Sequence, residues 1–299
     1  AIVGDRASQD VYDAVYLQLG LDKPLIQQYL IYLSDITRGD FGTSIMTTRP
    51  VLDDIIRFFP ATLELATIAT FFGVILGIPM GVLAAVNQGR LIDHVIRIIG
   101  LFGYSVPIFW LGMVALLVFY AALGWLPGPG RIEVYYDGIV EARSGIILID
   151  SALQGEWEIF WNALHHLVLP SAMLATFALA YIARMTRSFM LDQLNQEYIL
   201  TARVKGLSES AVIWRHAFRN VLVQLITIIG LTYASLLEGS VLTETIFAWP
   251  GIGQYITTSL FNADMNAVIG GTVVVGFCFV GINVLSDILY RIADPRARE

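Results

Sequence analysis

Charge is what this chain has least of. Only 14% of its 299 residues are Asp, Glu, Lys or Arg, where an ordinary soluble domain carries about 25%. With 56% hydrophobic residues and a mean hydropathy of +0.68, the deficit points to a chain built for a bilayer. Lysine is nearly missing: the only two, Lys23 and Lys205, follow Asp22 and Val204. A nucleotide-cradling phosphate loop needs a glycine directly before its lysine, so that device is excluded. A single cysteine, Cys278, excludes a disulfide within the chain. There is no H-E-x-x-H, and no Ser/His/Asp grouping stands out. The His165-His166 pair sits alone near one end of an apolar run, a setting that suits a membrane interface better than a metal ion. The chain therefore does not read as an enzyme, and no metal site is expected. A net charge of −7, with no basic patch among aromatics, argues against nucleic acid as a partner.

What is present is a set of long uncharged runs. Residues 65–86, 98–130, 159–183, 220–237 and 265–286 contain no Asp, Glu, Lys or Arg. A spanning helix needs about 20 mostly apolar residues, so five spans are expected, at about 62–86, 98–124, 161–185, 220–242 and 265–289. A further uncharged run, 245–262, holds Pro250, Gly251, Gly253 and Gln254 and reads instead as a loop with a short interfacial helix. Short cytoplasmic loops collect Lys and Arg. Arg90 and Arg97, then Arg184, Arg187, Arg203, Lys205, Arg215 and Arg219, then Arg291, Arg296 and Arg298 fall into three segments that alternation over five spans places on one side. The segment at about 126–160 is acidic and faces outside, as does the region 1–60, with eight Asp against five basic residues. An outside amino-terminal region implies either a further helix upstream of Ala1 or direct translocation of the tail; the first is the expectation. The tail 294–299 is then cytoplasmic.

Several residues inside the spans invite a role. Gly73, Gly77 and Gly81 recur every four residues, which lines one helix face and lets a second helix come close; this is a packing face, fixed or mobile. In "GYSVPIFW", residues 103–110, Pro107 removes a backbone donor and bends the second span. Tyr104, Ser105 and Phe109 beside it either line a pathway or simply pack. Glu238 and Glu244 flank the end of the fourth span, and an acid at that depth is a functional candidate. A structural or gating role is expected over proton coupling.

The most basic stretch, "EYILTARVKGLSESAVIWRHAFRN" (residues 197–220), has its own grammar. Residues 197–205 can form a short helix, Gly206 suits the left-handed position that ends it, and Ser208 can cap the next helix with Glu209 in its first turn. Ile199, Ala202 and Leu200 give the first helix an apolar patch, and Arg203 and Lys205 a charged flank. A plain positively charged loop explains the arginines but not the helix–glycine–helix order.

This stretch resembles the cytoplasmic loop of ABC-transporter permeases of the dipeptide/oligopeptide family, whose usual form is E-Y-I-x-T-A-R-A-K-G-L followed by H-A-x-R-N. Val204 replaces the common alanine, and Leu200-Thr201-Ala202 stands where the broader permease motif has E-A-A. "LGLDKPLIQQYLIYL" (19–33), "GDFGTS" (39–44), "PATLELA" (60–66), "GYSVPIFW" and "LTETIFAWPGIG" (242–253) are similar to the same family in the same order, so the resemblance covers nearly all of the chain apart from about 131–160. It resembles the B-type subunit, whose relatives begin with a helix that is not in this sequence.

The resemblance implies an all-α type I ABC-transporter transmembrane domain over residues 61–293, in a bacterial inner membrane. It implies a coupling loop at 190–218 whose Glu197, Tyr198, Thr201, Ala202, Arg203, Lys205 and Gly206 meet an ATPase. The expected partners are a C-type second permease, two ATP-binding subunits that hold the ATP and Mg, and an extracytoplasmic substrate-binding protein. Trp249 and Pro250 would lie near the external gate with Glu244. The substrate class implied is di- or oligopeptides, with nickel chelates, glutathione or oligosaccharides as alternatives. A self-contained secondary transporter would instead show mid-span charges and inverted repeats, and an intramembrane enzyme would show paired catalytic residues at depth; neither pattern is seen.

Overall fold

The computed structural model describes residue 16 and residues 22–293, in which helices are joined by short loops apart from one long connection at 123–146. The tail 294–299, with Arg296 and Arg298, and most of residues 1–21 lie outside the described residues. The helices are α1 (Leu25–Thr37), α2 (Val51–Val86), α3 (Leu91–Ser105), α4 (Ile108–Ala115), α5 (Ile147–Gln154), α6 (Trp157–Leu194), α7 (Glu197–Val204), α8 (Phe218–Gly239), α9 (Val241–Ile246), α10 (Ile252–Phe261) and α11 (Met265–Ala293). Wider π-type turns at Leu116–Ala122 and Ala211–Ala217 extend α4 and lead into α8.

Four helical segments, Val51–Val86, Trp157–Leu194, Ala211–Gly239 and Met265–Ile292, are long and apolar enough to cross a membrane. Two of them outrun the runs read from sequence. With 36 residues, α2 is about 54 Å long at about 1.5 Å per residue, well beyond a hydrocarbon core of about 30 Å. It starts right after Pro50, with Asp53 and Asp54 in its first turn, where the helix dipole favours acids. It also runs through Pro60 without stopping, so the boundary placed at residue 60 falls inside a helix.

The second expected span differs most. It begins at Leu91 rather than near 98, and α3 and the Ile108–Ala122 segment meet at 97°. This is a break rather than a kink. Val106 and Pro107 both take extended backbone, with ψ 127° at each. The cause is local: the proline ring pushes the β-branched residue before it out of the helical region, and its nitrogen cannot donate. The run 245–262, expected as a loop with a short helix, holds the end of α9, a turn at 247–251 and the short helix α10.

The core sits between α2 and α6, and the three glycines make it possible. A Cβ placed on Gly73 would lie 2.5 Å from Ala178 Cβ, and one on Gly81 would lie 2.5 Å from Thr186 Cβ and 2.6 Å from the Ala183 carbonyl oxygen. At Gly77 the Leu179 carbonyl and Ile182 stand 3.1 and 3.2 Å away. The stripe is therefore a close-packed seam against residues 178–186 of α6. Leu65, Ala66, Ala69, Leu174 and Ala178 extend it toward the outer end. By contrast, only 11% of the apolar window of α11 is buried, leaving Phe277, Val280, Val284 and Ile288 facing outward.

Candidate functional site

Two sites emerge at opposite ends of α2. The inner one is built around α7. Gly206 has φ +78°, and the Leu207 and Gly206 N–H groups bond back to the Ala202 and Arg203 carbonyls at 3.3 and 2.9 Å. The helix thus ends in a left-handed glycine cap that satisfies its last carbonyls. Ser208 caps the following turn, its Oγ accepting from the Ala211 N–H at 3.4 Å. Arg203 reaches across this corner to Glu209, with Nε to Oε1 at 3.0 Å.

The face that α7 buries corrects one expectation. Ile199 and Ala202 are buried in a cluster with Val82 and Ala85 of α2, Met190 of α6, and Val212, Ala217 and Val221. Ile199 and Ala202 seat the helix on its own chain and are not free for a partner, so Ala202 leaves the set of contact residues, whereas Leu200 of the expected apolar patch is exposed. The exposed face carries Glu197, Tyr198, Leu200, Thr201, Arg203, Val204, Lys205 and Gly206. Arg203 is likewise not an idle charge, because Glu209 already engages it. Tyr198 ties the loop together: its hydroxyl donates to Gln193 Oε1 at 2.7 Å and accepts from Asn220 Nδ2 at 2.9 Å. The two halves of the motif, E-Y and R-N, thus meet in space, a pairing that sequence reasoning missed although both halves stood in the quoted stretch.

The outer site centres on Glu244, which is fully buried. Its carboxylate accepts from the Thr62 hydroxyl at 2.7 Å, the Ser240 hydroxyl at 2.8 Å and the Gln254 N–H at 3.0 Å. The Thr62 oxygen in turn accepts from the Ile252 N–H at 2.8 Å. Trp249 is fully buried, and its indole N–H donates to the Ala61 carbonyl at 2.9 Å. The 242–253 stretch is therefore clamped on α2, and Trp249 is an anchor rather than a pathway lining. Gly251 is required here, since a Cβ would fall 2.4 Å from the Glu244 carboxyl carbon. Glu238, expected beside Glu244, is exposed and takes no part.

Around this clamp lie residues that sequence reasoning did not single out. Arg131 donates through Nε to Glu64 Oε2 at 3.0 Å and through Nη2 to the Gly145 carbonyl at 2.9 Å. Its guanidinium lies 5.7 Å from the Trp249 ring centre. Glu64 also accepts from the Leu148 N–H at 3.1 Å, which docks the acidic outer segment on α2. The available signal was Glu64 as the last charge of α2, directly before the uncharged run that starts at residue 65. Asp150 organises the same segment by accepting from the Ser144 N–H at 2.9 Å and the Gly145 N–H at 3.0 Å. Burial of this carboxyl works against its charge, but the Ser144 N–H and hydroxyl, with the Gly145 and Arg143 N–H groups, outweigh it and hold the group below the usual carboxylate range. A cavity of about 430 Å³ opens here, lined among others by Arg57, Arg131, Tyr136, Asp150 and Pro250. Asp264 fastens the "GDFGTS" segment, accepting from Ser44 Oγ at 2.6 Å and the Ile45 N–H at 2.8 Å.

Of the remaining candidates, Ser105, Pro107 and Phe109 are exposed at the break between α3 and α4. Tyr104 stacks on Phe177 at 5.8 Å between ring centres and lies under the Arg184 guanidinium at 4.9 Å. His166 donates from Nδ1 to its own helix at the Asn162 carbonyl, 2.9 Å away. Just past the break, α4 packs against α9, with a Cβ on Gly112 falling 3.1 Å from Phe247 and 3.7 Å from Ile246, and Ile108 joins the cluster that holds Trp249, so the break and the clamp are neighbours.

A core of helices long and apolar enough to cross a membrane, with a capped helix at one end of α2 and a buried carboxylate clamp at the other, defines a helical membrane domain. Residues 77–299 match the family described as binding-protein-dependent transport system inner membrane component, and the chain belongs to that family. It is 46% identical over 295 residues, 99% of this chain and 86% of the other, to the probable D,D-dipeptide transport system permease protein DdpB of Escherichia coli K12. It is 44% identical to the di/tripeptide transport system permease protein DppB of Pseudomonas aeruginosa, over 98% of this chain and 87% of that one. Among solved structures, the inward-facing MetNI methionine ABC transporter shares the fold, with TM-scores of 0.59 and 0.61 in two crystal forms. Those matches cover 80% and 81% of this chain and 96% of the other, at 18% and 17% identity. The chain is an inner membrane transport subunit, and its relatives are permeases rather than enzymes.

Proposed function

We propose that this chain forms half of the translocation pathway of an ATP-driven ABC importer for di- or oligopeptides. A C-type permease supplies the other half, two separate subunits bind ATP and Mg, and an extracytoplasmic protein delivers the peptide. The names of the relatives support the peptide class. The observation that carries the mechanism is α7: a short helix seated by Ile199 and Ala202 on α2, α6 and the start of α8, with its polar face outward. Glu197, Tyr198, Thr201, Arg203, Lys205 and Gly206 meet the ATPase there, through exposed side chains or, at Gly206, a turn that keeps the next segment clear. Closure of the ATPases pushes α7, and α2 carries the displacement to the Glu244 clamp, which acts as the outer gate. The outer segments around Pro250 and residues 131–160 receive the binding protein. Tyr104, Ser105 and Phe109 at the break line the path between.

The test is reconstitution of the full-length chain with its second permease and ATPases in liposomes, with binding protein and a labelled dipeptide outside. ATP-driven accumulation is expected, with glutathione, nickel and an oligosaccharide as competitors that leave it unchanged. Gly206→Pro cannot adopt φ +78°, and should leave the complex assembled and hydrolysing ATP while accumulation is lost. A wild-type ratio of peptide imported to ATP consumed in that variant would overturn the coupling role.

A further inference from the structure

A second cavity, of about 640 Å³, lies between α3 and the cytoplasmic half of α6, apart from α7 and the Glu244 clamp; its polar charges stand toward the cytoplasmic end, and Tyr104 at the break closes its far end. His94, Arg97, Arg184 and Arg187 supply its polar wall. One of these charges is already answered: Asp93 accepts from Arg187 Nε at 2.7 Å and Nη2 at 2.8 Å. Arg184 is held over the rings of Tyr104 and Tyr181 at 4.9 and 5.4 Å, which orients a guanidinium without neutralising it. Arg97 makes no ion pair among the described residues. Three arginines against one carboxylate leave two positive charges on one wall.

The depth of the cavity follows from the sequence. Arg97 immediately precedes the uncharged run 98–130, and Arg184 immediately follows the run 159–183. Both stand where the apolar layer ends. Beside them α3 turns Ile98, Leu101 and Phe102 outward, at 66%, 67% and 55% exposure. A ligand here meets cations at headgroup level and hydrocarbon directly next to them. Basic pockets between membrane helices on the cytoplasmic side match anionic lipid headgroups, and free anions would gain nothing from the exposed apolar rim.

We propose that this cavity binds the phosphate headgroup of an anionic phospholipid of the cytoplasmic leaflet, with its acyl chains along the outward face of α3. Arg97 and Arg184 hold the phosphate, and Asp93 keeps Arg187 as a fixed wall.

The importer, purified whole and delipidated in mild detergent, is titrated with phosphatidylglycerol or phosphatidylcholine, and bound lipid is counted by native mass spectrometry. One phosphatidylglycerol per copy of this chain is expected to bind about thirtyfold tighter than phosphatidylcholine, equivalent to about 1 kcal/mol for each of two arginines. Arg97→Gln with Arg184→Gln should abolish the preference, and Arg215→Gln with Arg219→Gln should not. Gly100→Leu adds bulk where the nearest atom to a Cβ is the Ala180 carbonyl at 3.9 Å, and should weaken binding with both charges intact. Arg184→Lys should retain the preference, which separates loss of charge from loss of fold. An undiminished preference in the double glutamine variant would overturn the proposal. So would displacement of the lipid by millimolar inorganic phosphate or by a dipeptide, since either would make the cavity a site for free anions.

Discussion

Alanine at Gly73 or Gly81 should loosen the seam between α2 and α6, while alanine at Gly276 should not. A Cβ on Gly73 would stand 2.5 Å from Ala178 Cβ, and one on Gly81 would meet both Thr186 Cβ at 2.5 Å and a backbone oxygen at 2.6 Å. Carbons in contact prefer about 3.5–4.0 Å, so the helices must part by about 1 Å. Overpacking of this kind costs roughly 1–3 kcal/mol, and alanine returns about 0.5–1 kcal/mol of helix stability relative to glycine. The net loss should be about 1–2 kcal/mol at each site. Gly81 should suffer most, because the carbonyl it meets belongs to a helix backbone that cannot rotate away. Gly77 should be milder, with its nearest atoms at 3.1 and 3.2 Å, and Gly276 has nothing within 4 Å. The assay is unfolding of the purified complex in mixed detergent and dodecyl sulfate, followed by tryptophan fluorescence. Gly73→Ala and Gly81→Ala as stable as Gly276→Ala would refute the close-packed seam.

Thr62→Val keeps the shape of the side chain but removes one bond to Glu244 and one to the Ile252 N–H. Each buried group left unpaired costs about 1–3 kcal/mol, so the outer clamp should open without ATP, measured as ATP consumed per peptide imported; an unchanged ratio would count against a gate at Glu244. Asp150 has a folded pKa below its unfolded value of about 3.9. Its stabilisation is therefore present above about pH 4 and is lost as pH falls through the lower, folded value. Exchange protection of the Ser144 and Gly145 amides, taken relative to the intrinsic rate at each pH, should fall on acidification in the wild type, and should already be low and unchanged by acid in Asp150→Asn. Tyr198→Phe and Asn220→Ala should couple in a double-mutant cycle of complex stability by about 0.5–1 kcal/mol; strict additivity would mean that the hydrogen bond between them contributes nothing.

Features governed by neighbours in the chain were legible in the sequence. Four of the five uncharged runs marked helices long and apolar enough to cross a membrane, four-residue glycine spacing marked the seam, and Gly206 marked the end of α7, because each depends on local sterics or on transfer of a short segment into lipid. The size of the bend at Pro107 was not legible, since proline removes a bond but the packing of both arms sets the angle. The clamp was half legible. Glu244 stood out as an acid at the end of a span, but its partners Thr62 and Gln254 come from other elements and look ordinary in isolation. Ile199 and Ala202 show the limit from the other side. Their spacing correctly marks an apolar face, yet spacing alone cannot say whether that face meets the chain itself or a partner.

The arrangement constrains how a push on α7 can travel. Ile199 and Ala202 are buried against Val82 and Ala85 at the inner end of α2, while Ala61 and Thr62 near its outer end hold Trp249, Glu244 and the Ile252 N–H. One helix touches both sites. Glycine contacts leave α2 and α6 no slack to slide past each other, because close-packed interiors transmit strain rather than absorb it. The neighbouring span is built the opposite way, divided at Val106 and Pro107 into two arms at 97°. Displacement at the inner end thus has a stiff member to follow and a jointed one to yield. At the far end it meets directional hydrogen bonds to a single carboxylate. Such bonds weaken steeply with misalignment, so a small rotation of α2 loosens Thr62 from Glu244 and Ile252 together. On the coupling proposed for α7, that coincidence predicts a clamp that opens in one step, with the Thr62 bonds to Glu244 and Ile252 lost together.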